Sequence, residues 1–412
     1  MSLLVRYRWW ALVGVFLLTG TVLGGLEKAV VPDNSMGVWF LETDPALEQY
    51  RTFQNRFGND ELVLIHLEYP SGVYTAKALG QMRTLGEKLS AIDGVQRVYS
   101  VAHTPTVALS LKGPKLAPAI PSDLRDPAVI EKAVAPLRNS PLIQGVFVDK
   151  TETQAMMWVE MVVSDDFDAR RDSIIGAVRA ATAEELGEQP HHFAGIGVLY
   201  TGLNQVTEED FGTFLGLGYL LLFAAMAWVF RSLIFTVAAM LVVGVGTVVM
   251  FGVYGMMGNQ LNMVTSVLPI VVMVLAVADV VHFPAAFIRY RRADPTGNKR
   301  EAAVAALRDV LWPCVLTTIT TMAGFMALTS APMAVVRHLG LYTAIGVAAA
   351  LVASVVLMAV AFLLVRDKTP MPKHRGIERF VASCRNILAE RSGLMLAVSL
   401  VIVVAAAVGA TR

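Results

Sequence analysis

Charge is scarce in this chain. Lys and Arg number 34 and Asp and Glu 33 among 412 residues, or 16% in all, where a soluble domain carries about 25%. The two signs nearly cancel, to a net +1, so there is no one-sided field to draw a nucleic acid, and no nucleic-acid partner is expected. Cysteine is almost absent: Cys314 and Cys384 are the two. That excludes a disulfide framework and a cysteine-based metal centre. No glycine-rich phosphate loop is present, which argues against direct use of ATP. No paired catalytic acids and no zinc-type spacing occur, so the expectation is a protein that is not an enzyme, with no cofactor and no metal.

What the chain has in abundance is apolar length. Hydrophobic residues make up 55% and mean hydropathy is +0.57. A bilayer needs about 20 consecutive apolar residues, and seven runs approach or reach that length: 10–26, 211–230, 234–257, 261–287, 311–328, 340–365 and 393–410. The first follows Arg6 and Arg8 and lacks a clear small-residue cleavage site, so it reads as an uncleaved anchor. Basic residues set orientation. Arg231, the group Arg289, Arg291, Arg292, Lys299, Arg300 and Arg308, and a third group from Arg366 to Arg391 all fall on one side if the spans alternate. The N-terminus is then cytoplasmic and the long polar segment exported, which in a bacterium means an inner-membrane protein with a periplasmic domain. The fold class expected is an α-helical polytopic membrane protein of about seven spans with an extracytoplasmic α/β domain. Its parts are an anchor (1–27), the α/β domain (28–210), five spans (211–366), a basic amphipathic linker lying on membrane lipids (367–392) and a last span (393–412).

Inside 28–210, strands are expected at 61–68, 95–101 and 191–196 and helices at 76–91, 126–137 and 167–186. A hairpin is expected from 144–148 and 154–163 around Lys150 and Thr151. Asp126 caps its helix, with Pro127 at the first helical position. The order β-α-β then β-β-α-β predicts two split βαβ subdomains side by side. Residues 201–210 continue as helix into the second span, and Tyr99 to Thr106 offer a cleft lining. His191 and His192 are neighbours and would point to opposite faces of a strand, so they do not make a metal pair. Asp165, Asp166 and Asp168 read as a solvated capping cluster, because the glycine and distal glutamate of a calcium loop are missing.

Asp279 stands apart as the acid in the run 261–286. An ionisable group at membrane depth is costly, about 2.5–3.5 kcal/mol on insertion scales, and tends to mark an ion or proton path. A structural reading, an aspartate that pins two helices, stays open. His282 lies one turn on, and Ala276 and Ala278 would let another helix approach. Pro269 is expected to bend this span, which ends near Pro284. In the next span Pro313 suits a first helical turn. Thr317, Thr318, Thr320 and Thr321 then follow, able either to bond Asp279 and carry a water chain or merely to back-bond their own helix. The proton-relay candidates are Asp279, His282, Thr317, Thr318 and Thr321. Arg337 and His338 are expected in a loop as interfacial anchors.

These segments resemble a known family. "FQNRFGNDELVLIHLE" at Phe53 to Glu68 looks like the opening of an exported porter domain. "NMVTSVLPIVVMVLAVADVVHF" at Asn262 to Phe283 looks like a fourth span. "CVLTTITTMAGFMAL" at Cys314 to Leu328 and "RHLGLYTAIG" at Arg337 to Gly346 look like the fifth and sixth. Together with the domain order they resemble the repeat unit of the resistance–nodulation–division (RND) superfamily. The similarity is greatest to its lipid- and hydrophobe-handling exporters, such as the mycobacterial large membrane proteins and hopanoid carriers, and the five-span group is similar to the sterol-sensing domain. The resemblance implies ferredoxin-like porter subdomains and a proton-driven exporter of a hydrophobic or lipid-like substrate in which Asp279 titrates. Many members have glycine four residues before the acid and a second acid or tyrosine after it; here Leu275 and Val280 stand there, and His282 follows. Members usually carry two repeats, so the chain is expected to act as a homo-oligomer or with a second half, and a periplasmic partner protein is possible. The competing expectation is a non-pumping lipid- or sterol-binding or sensing module.

Overall fold

The computed structural model describes residues 1–57, 61–110, 113–162, 167–365 and 392–410. Helix predominates. Among the described residues six helical stretches are long and apolar enough to cross a membrane: Arg8–Ala29, Ile196–Phe230, Leu233–Met256, Thr265–Ala293, Lys299–Ser330 and Ala334–Leu364. The remaining expected span falls on a helix, Ser392–Ala410, whose apolar stretch Leu396–Ala406 is shorter than those six. The linker expected over 367–392 lies, but for its last residue, outside the described residues, as do Asp165 and Asp166.

Helix α1 (Arg8–Thr21) leads to an α/β unit. Strand β1 (Leu62–Glu68) buries Val63, Ile65 and Leu67 and turns the residues between them to the other face, the period of two that a half-buried strand requires. Then come α2 (Ala76–Ser90), β2 (Val95–Tyr99), a ribbon β3 (Pro105–Ser110) and β4 (Gly113–Pro118), and α3 (Pro127–Arg138). The Asp126 carboxylate accepts from the Ala128 N–H at 2.9 Å, the expected cap. β5 (Gln154–Met161), α4 (Phe167–Leu186) and β6 (His191–Ala194) complete the unit.

The strand order is β2-β5-β1-β6, every neighbouring pair antiparallel. Each βαβ crossover thus leaves a gap that a strand of the other fills. The two units interlock in one sheet instead of standing side by side as two subdomains, because a lone split βαβ would leave its strand edges unpaired. Helices α2 and α4 cover one face, with Leu79, Met82, Leu85, Ile175 and Val178 packed on Ile65, Met157 and Val159. The opposite face, carrying His66, Glu68 and His192, is only partly covered.

The expected hairpin of 144–148 with 154–163 does not form. Residues 144–148 make a series of turns, and Val148 alone bridges Ala155. Asp149 organises this loop: its carboxylate accepts from the backbone of Thr151, Thr153 and Gln154 at 2.8–2.9 Å. Burial would raise its pKa, but those bonds and the Thr151 hydroxyl bring it down to about 2.

α5 (Ile196–Phe230) starts directly after β6, two residues on, and runs unbroken into the second span. α6 (Leu233–Met256) and α10 (Ala334–Leu364) are the best-buried spans and form the centre of the bundle. The tail of the first span lies backbone-to-backbone on α6: a Cβ on Gly255 would stand 1.9 Å from the Gly25 carbonyl oxygen, so only glycine allows that approach. At the opposite end of the bundle Phe287 stacks on Phe362 at 4.5 Å. α9 (Lys299–Ala327) begins twelve residues before the expected span. Its first turns are amphipathic, with Ala303, Ala306, Leu307 and Val310 buried, so helix forms there although hydropathy is low. Pro313 is therefore interior, not in a first turn, and the basic residues Lys299, Arg300 and Arg308 stand on this helix. Arg337 and His338 likewise lie in α10 rather than in a loop.

Candidate functional site

The fourth span is built in two pieces, α7 (Leu268–Val280) and α8 (His282–Ala293). Pro269 sits in the first turn of α7, where its missing N–H is harmless, so it does not bend the span as expected. The break falls at Val281. Pro284 explains it: the residue has no N–H to close on the Val280 carbonyl, and its ring crowds that oxygen. Asp279 is placed in the last turn before the break.

Facing it, α9 presents Asp309, Pro313, Thr317 and Thr321, four residues apart and so on one stripe. The Thr318 hydroxyl donates to Asp279 Oδ2 at 2.9 Å, and Thr318 is buried. The Thr317 hydroxyl reaches Asp279 Oδ1 at 3.3 Å, but also the Cys314 carbonyl at 2.9 Å and that of Pro313 at 3.2 Å. One hydroxyl has one proton, so Asp279 and the Thr317 helix compete for it. Thr320 back-bonds to Leu316 and Thr317. Thr318 thus bonds Asp279, Thr320 back-bonds its own helix, and Thr317 lies within reach of both.

A cavity of about 430 Å³ opens between the two stripes, lined by Asp279, His282, Thr317, Thr321, Arg289 and Asp309 among others. Four of the five expected relay residues line it, and Thr318 touches Asp279 from behind. Among the described residues no hydrogen bond joins His282 to Asp279, and no cation pairs with Asp279. Arg289 instead pairs with Asp309. Asp309 and Pro313 also line a larger cavity of about 1030 Å³, with Arg6, Arg300, Arg308 and Trp312. Sequence reading missed Asp309 because it precedes the apolar run, although its spacing of eight from Thr317 carries the signal.

A second polar cluster ties the bundle to the sheet. Asn34, fully buried, donates from Nδ2 to Asn204 Oδ1 at 3.0 Å and to the Thr207 hydroxyl at 3.1 Å. Its Oδ1 accepts from the Met263 N–H at 2.9 Å, and its own N–H donates to Asn204. Asn204 donates onward to Asp172 on α4 at 3.1 Å. At the entrance to the fourth span, Asn262 Oδ1 accepts from the Thr265 N–H and the Thr265 hydroxyl from the Asn262 N–H, a reciprocal cap. Beside it Leu261 exchanges backbone bonds with Val31 and Asp33. Nothing local marks Asn34 in sequence; its partners lie about 170 and 230 positions away.

A profile of the MMPL family matches residues 74–395, well over half of the chain. The chain belongs to the MMPL family. No curated protein matches the sequence. The MMPL match takes in α5 to α10, and with them the whole Asp279 cavity. Membership fits a multi-pass membrane transporter of RND type and agrees with the resemblance carried by the fourth to sixth spans.

One further feature holds α4 in place. Arg171 and Glu61 form a buried two-pronged ion pair, 2.8 and 3.4 Å, beneath the rings of Phe167 and Tyr200. A carboxylate and guanidinium so enclosed are sustained by each other's charge.

Proposed function

We propose that this protein is a proton-coupled RND-type transporter moving a hydrophobic or lipid-like substrate, with Asp279 as the group that takes up and releases the proton. The observation that supports this reading most is the setting of Asp279: a carboxylate at membrane depth, held by hydroxyls and facing a cavity, with no cation paired to it among the described residues. Ionised, it accepts from Thr318 and Thr317. Protonated, it loses its charge and gains a donor, so its preferred contacts with α9 change. Population then shifts to the packing of α7 on α9 that suits the neutral acid. The entrance to the fourth span lies about 25 Å away along the helix axis. There the Asn262–Thr265 cap and Asn34 pass the displacement to α5 and, through Asp172, to the sheet.

In this reading the N-terminus is cytoplasmic, the protein sits in a bacterial inner membrane and the sheet unit is a periplasmic, ferredoxin-like porter domain. Ser392–Ala410 serves as a seventh span. His282, Thr317 and Thr320 are exposed on one side of the bundle, a polar face unsuited to lipid tails. A second copy of this chain, or a second half, covers that face.

The test uses proteoliposomes carrying a fluorescent phospholipid and an imposed proton gradient. The native chain should move the lipid only with the gradient, and Asp279→Asn should reduce movement to background. Gradient-dependent movement in the Asn variant would refute the role of Asp279. Lipid binding with no gradient dependence in either chain would favour a sensing module.

A further inference from the structure

We propose that His66, Glu68 and His192 form a divalent transition-metal site of zinc type on the open face of the sheet. The register of β1 on β6 sets His66 directly opposite His192, and their rings lie 5.9 Å apart, inclined by 23°. Glu68 is two residues along β1, hence on the same face. The ligand atoms of all three lie within 4.8 Å of one another. Zinc bonds to nitrogen and carboxylate oxygen are about 2.0–2.2 Å, which puts tetrahedral ligands about 3.4 Å apart. Small side-chain rotations on a partly exposed face close that difference.

A stacked cross-strand imidazole pair with a solvated glutamate would account for the two rings alone. It does not account for the convergence of three uncommitted ligand atoms. The other imidazoles of this unit are engaged: His191 Nδ1 lies 2.8 Å from the Gln189 carbonyl, and His103 Nδ1 lies 2.7 Å from the Ser100 hydroxyl. No hydrogen bond engages the His66 ring, the His192 ring or the Glu68 carboxylate among the described residues. Two imidazoles and one carboxylate suit zinc and leave a fourth position for water. Sequence adjacency pointed away from a site because His191 and His192 do face apart; the second imidazole comes from β1 instead.

The location gives the metal a mechanical consequence. β6 ends at Ala194, Gly195 turns at φ +117° with its Cα packed on the Leu62 carbonyl, and α5 begins at Ile196. A bound ion would fasten β6 to β1 at the point where the sheet feeds the second span. The site is independent of the Asp279 reading.

The experiment strips the full-length protein with a chelator and titrates it with zinc chloride against a chromogenic competitor, alongside thermal melts. One zinc per chain should bind and raise the melting temperature. His66→Ala and His192→Ala should each weaken binding at least about 100-fold, Glu68→Gln about 10-fold, and His191→Ala should have no effect. Metal-free melts of the variants should match the native chain, since the side chains stand on the open face. If a variant misfolds, X-ray absorption of the zinc-loaded native chain decides: two nitrogen ligands and one carboxylate at about 2.0–2.2 Å support the site, and any other ligand set overturns it. Zinc affinity unchanged in the His66→Ala/His192→Ala chain would also overturn it.

Discussion

The amide of Asn34 and the carboxylate of Asp279 both sit where apolar helices meet, and their surroundings differ in kind. Asn34 is closed in. Its side chain makes three hydrogen bonds, two to α5 and one to the entrance of the fourth span, and has no exposed surface. Asp279 is half-open, its bonds coming from two hydroxyls of one helix, of which one has competing acceptors nearby. A buried group with every bond made fixes a geometry, because any displacement strands several partners at once. A group with replaceable bonds and a cavity beside it can change protonation without unravelling its surroundings. The first arrangement suits a joint and the second a titrating centre.

The sharpest way to break this contrast is at the joint. Asn34→Ala should lower stability by about 2–4 kcal/mol, since Asn204, Thr207 and the Met263 N–H lose a buried partner together. Denaturant unfolding in detergent measures it. Asp279→Asn should cost far less stability, because an amide still accepts from Thr318. If the two variants destabilise equally, the distinction between joint and titrating centre fails.

Thr318→Val keeps the shape and removes the firm bond to Asp279. It should change transport by about 1 kcal/mol, a factor of several, read in the vesicle assay. Thr317→Val should have a smaller effect, because three acceptors compete for that one hydroxyl proton and Asp279 is the most distant of them. The reverse ranking would mean that the exposed threonine, not the buried one, supports the carboxylate.

The smallest effect lies outside both regions. Asp149 has its pKa lowered to about 2 by hydrogen bonds to its ionised form. A lowered carboxylate contributes stability fully present above its unfolded value, near 4, and lost as pH falls through about 2. Asp149→Ala should therefore be less stable than the native chain above about pH 4. The gap should narrow between about pH 4 and pH 2, as pH-dependent melts would show.

Asp279 could be read from sequence because a single acid in a long apolar run stands out against the cost of charge in a membrane. The threonines could be read because four of them recur at helical spacing. The Arg289–Asp309 pair could not, since hydropathy begins the fifth span at 311 while the helix begins at Lys299. The bend was legible as a proline effect but assigned to the wrong proline: Pro269 falls in a first turn, and Pro284 breaks the helix. In the sheet unit α2, α3, α4 and most strands followed from local pattern, whereas the helix Pro45–Phe57 did not; nor did the interleaving of the strands, because strand order is set by edge pairing and not by local pattern. The Asn34 cluster and the His66–His192 pairing are products of tertiary folding alone. They join residues more than 120 positions apart, and no local rule marks their members.

The most direct test of the titrating centre is infrared difference spectroscopy of the protein across a pH titration, following the C=O stretch of protonated carboxylic acids. The account predicts a titrating carboxyl band that disappears in Asp279→Asn and persists in Asn34→Ala. A band that survives Asp279→Asn unchanged, or the absence of any titrating carboxyl in the native chain, would contradict it.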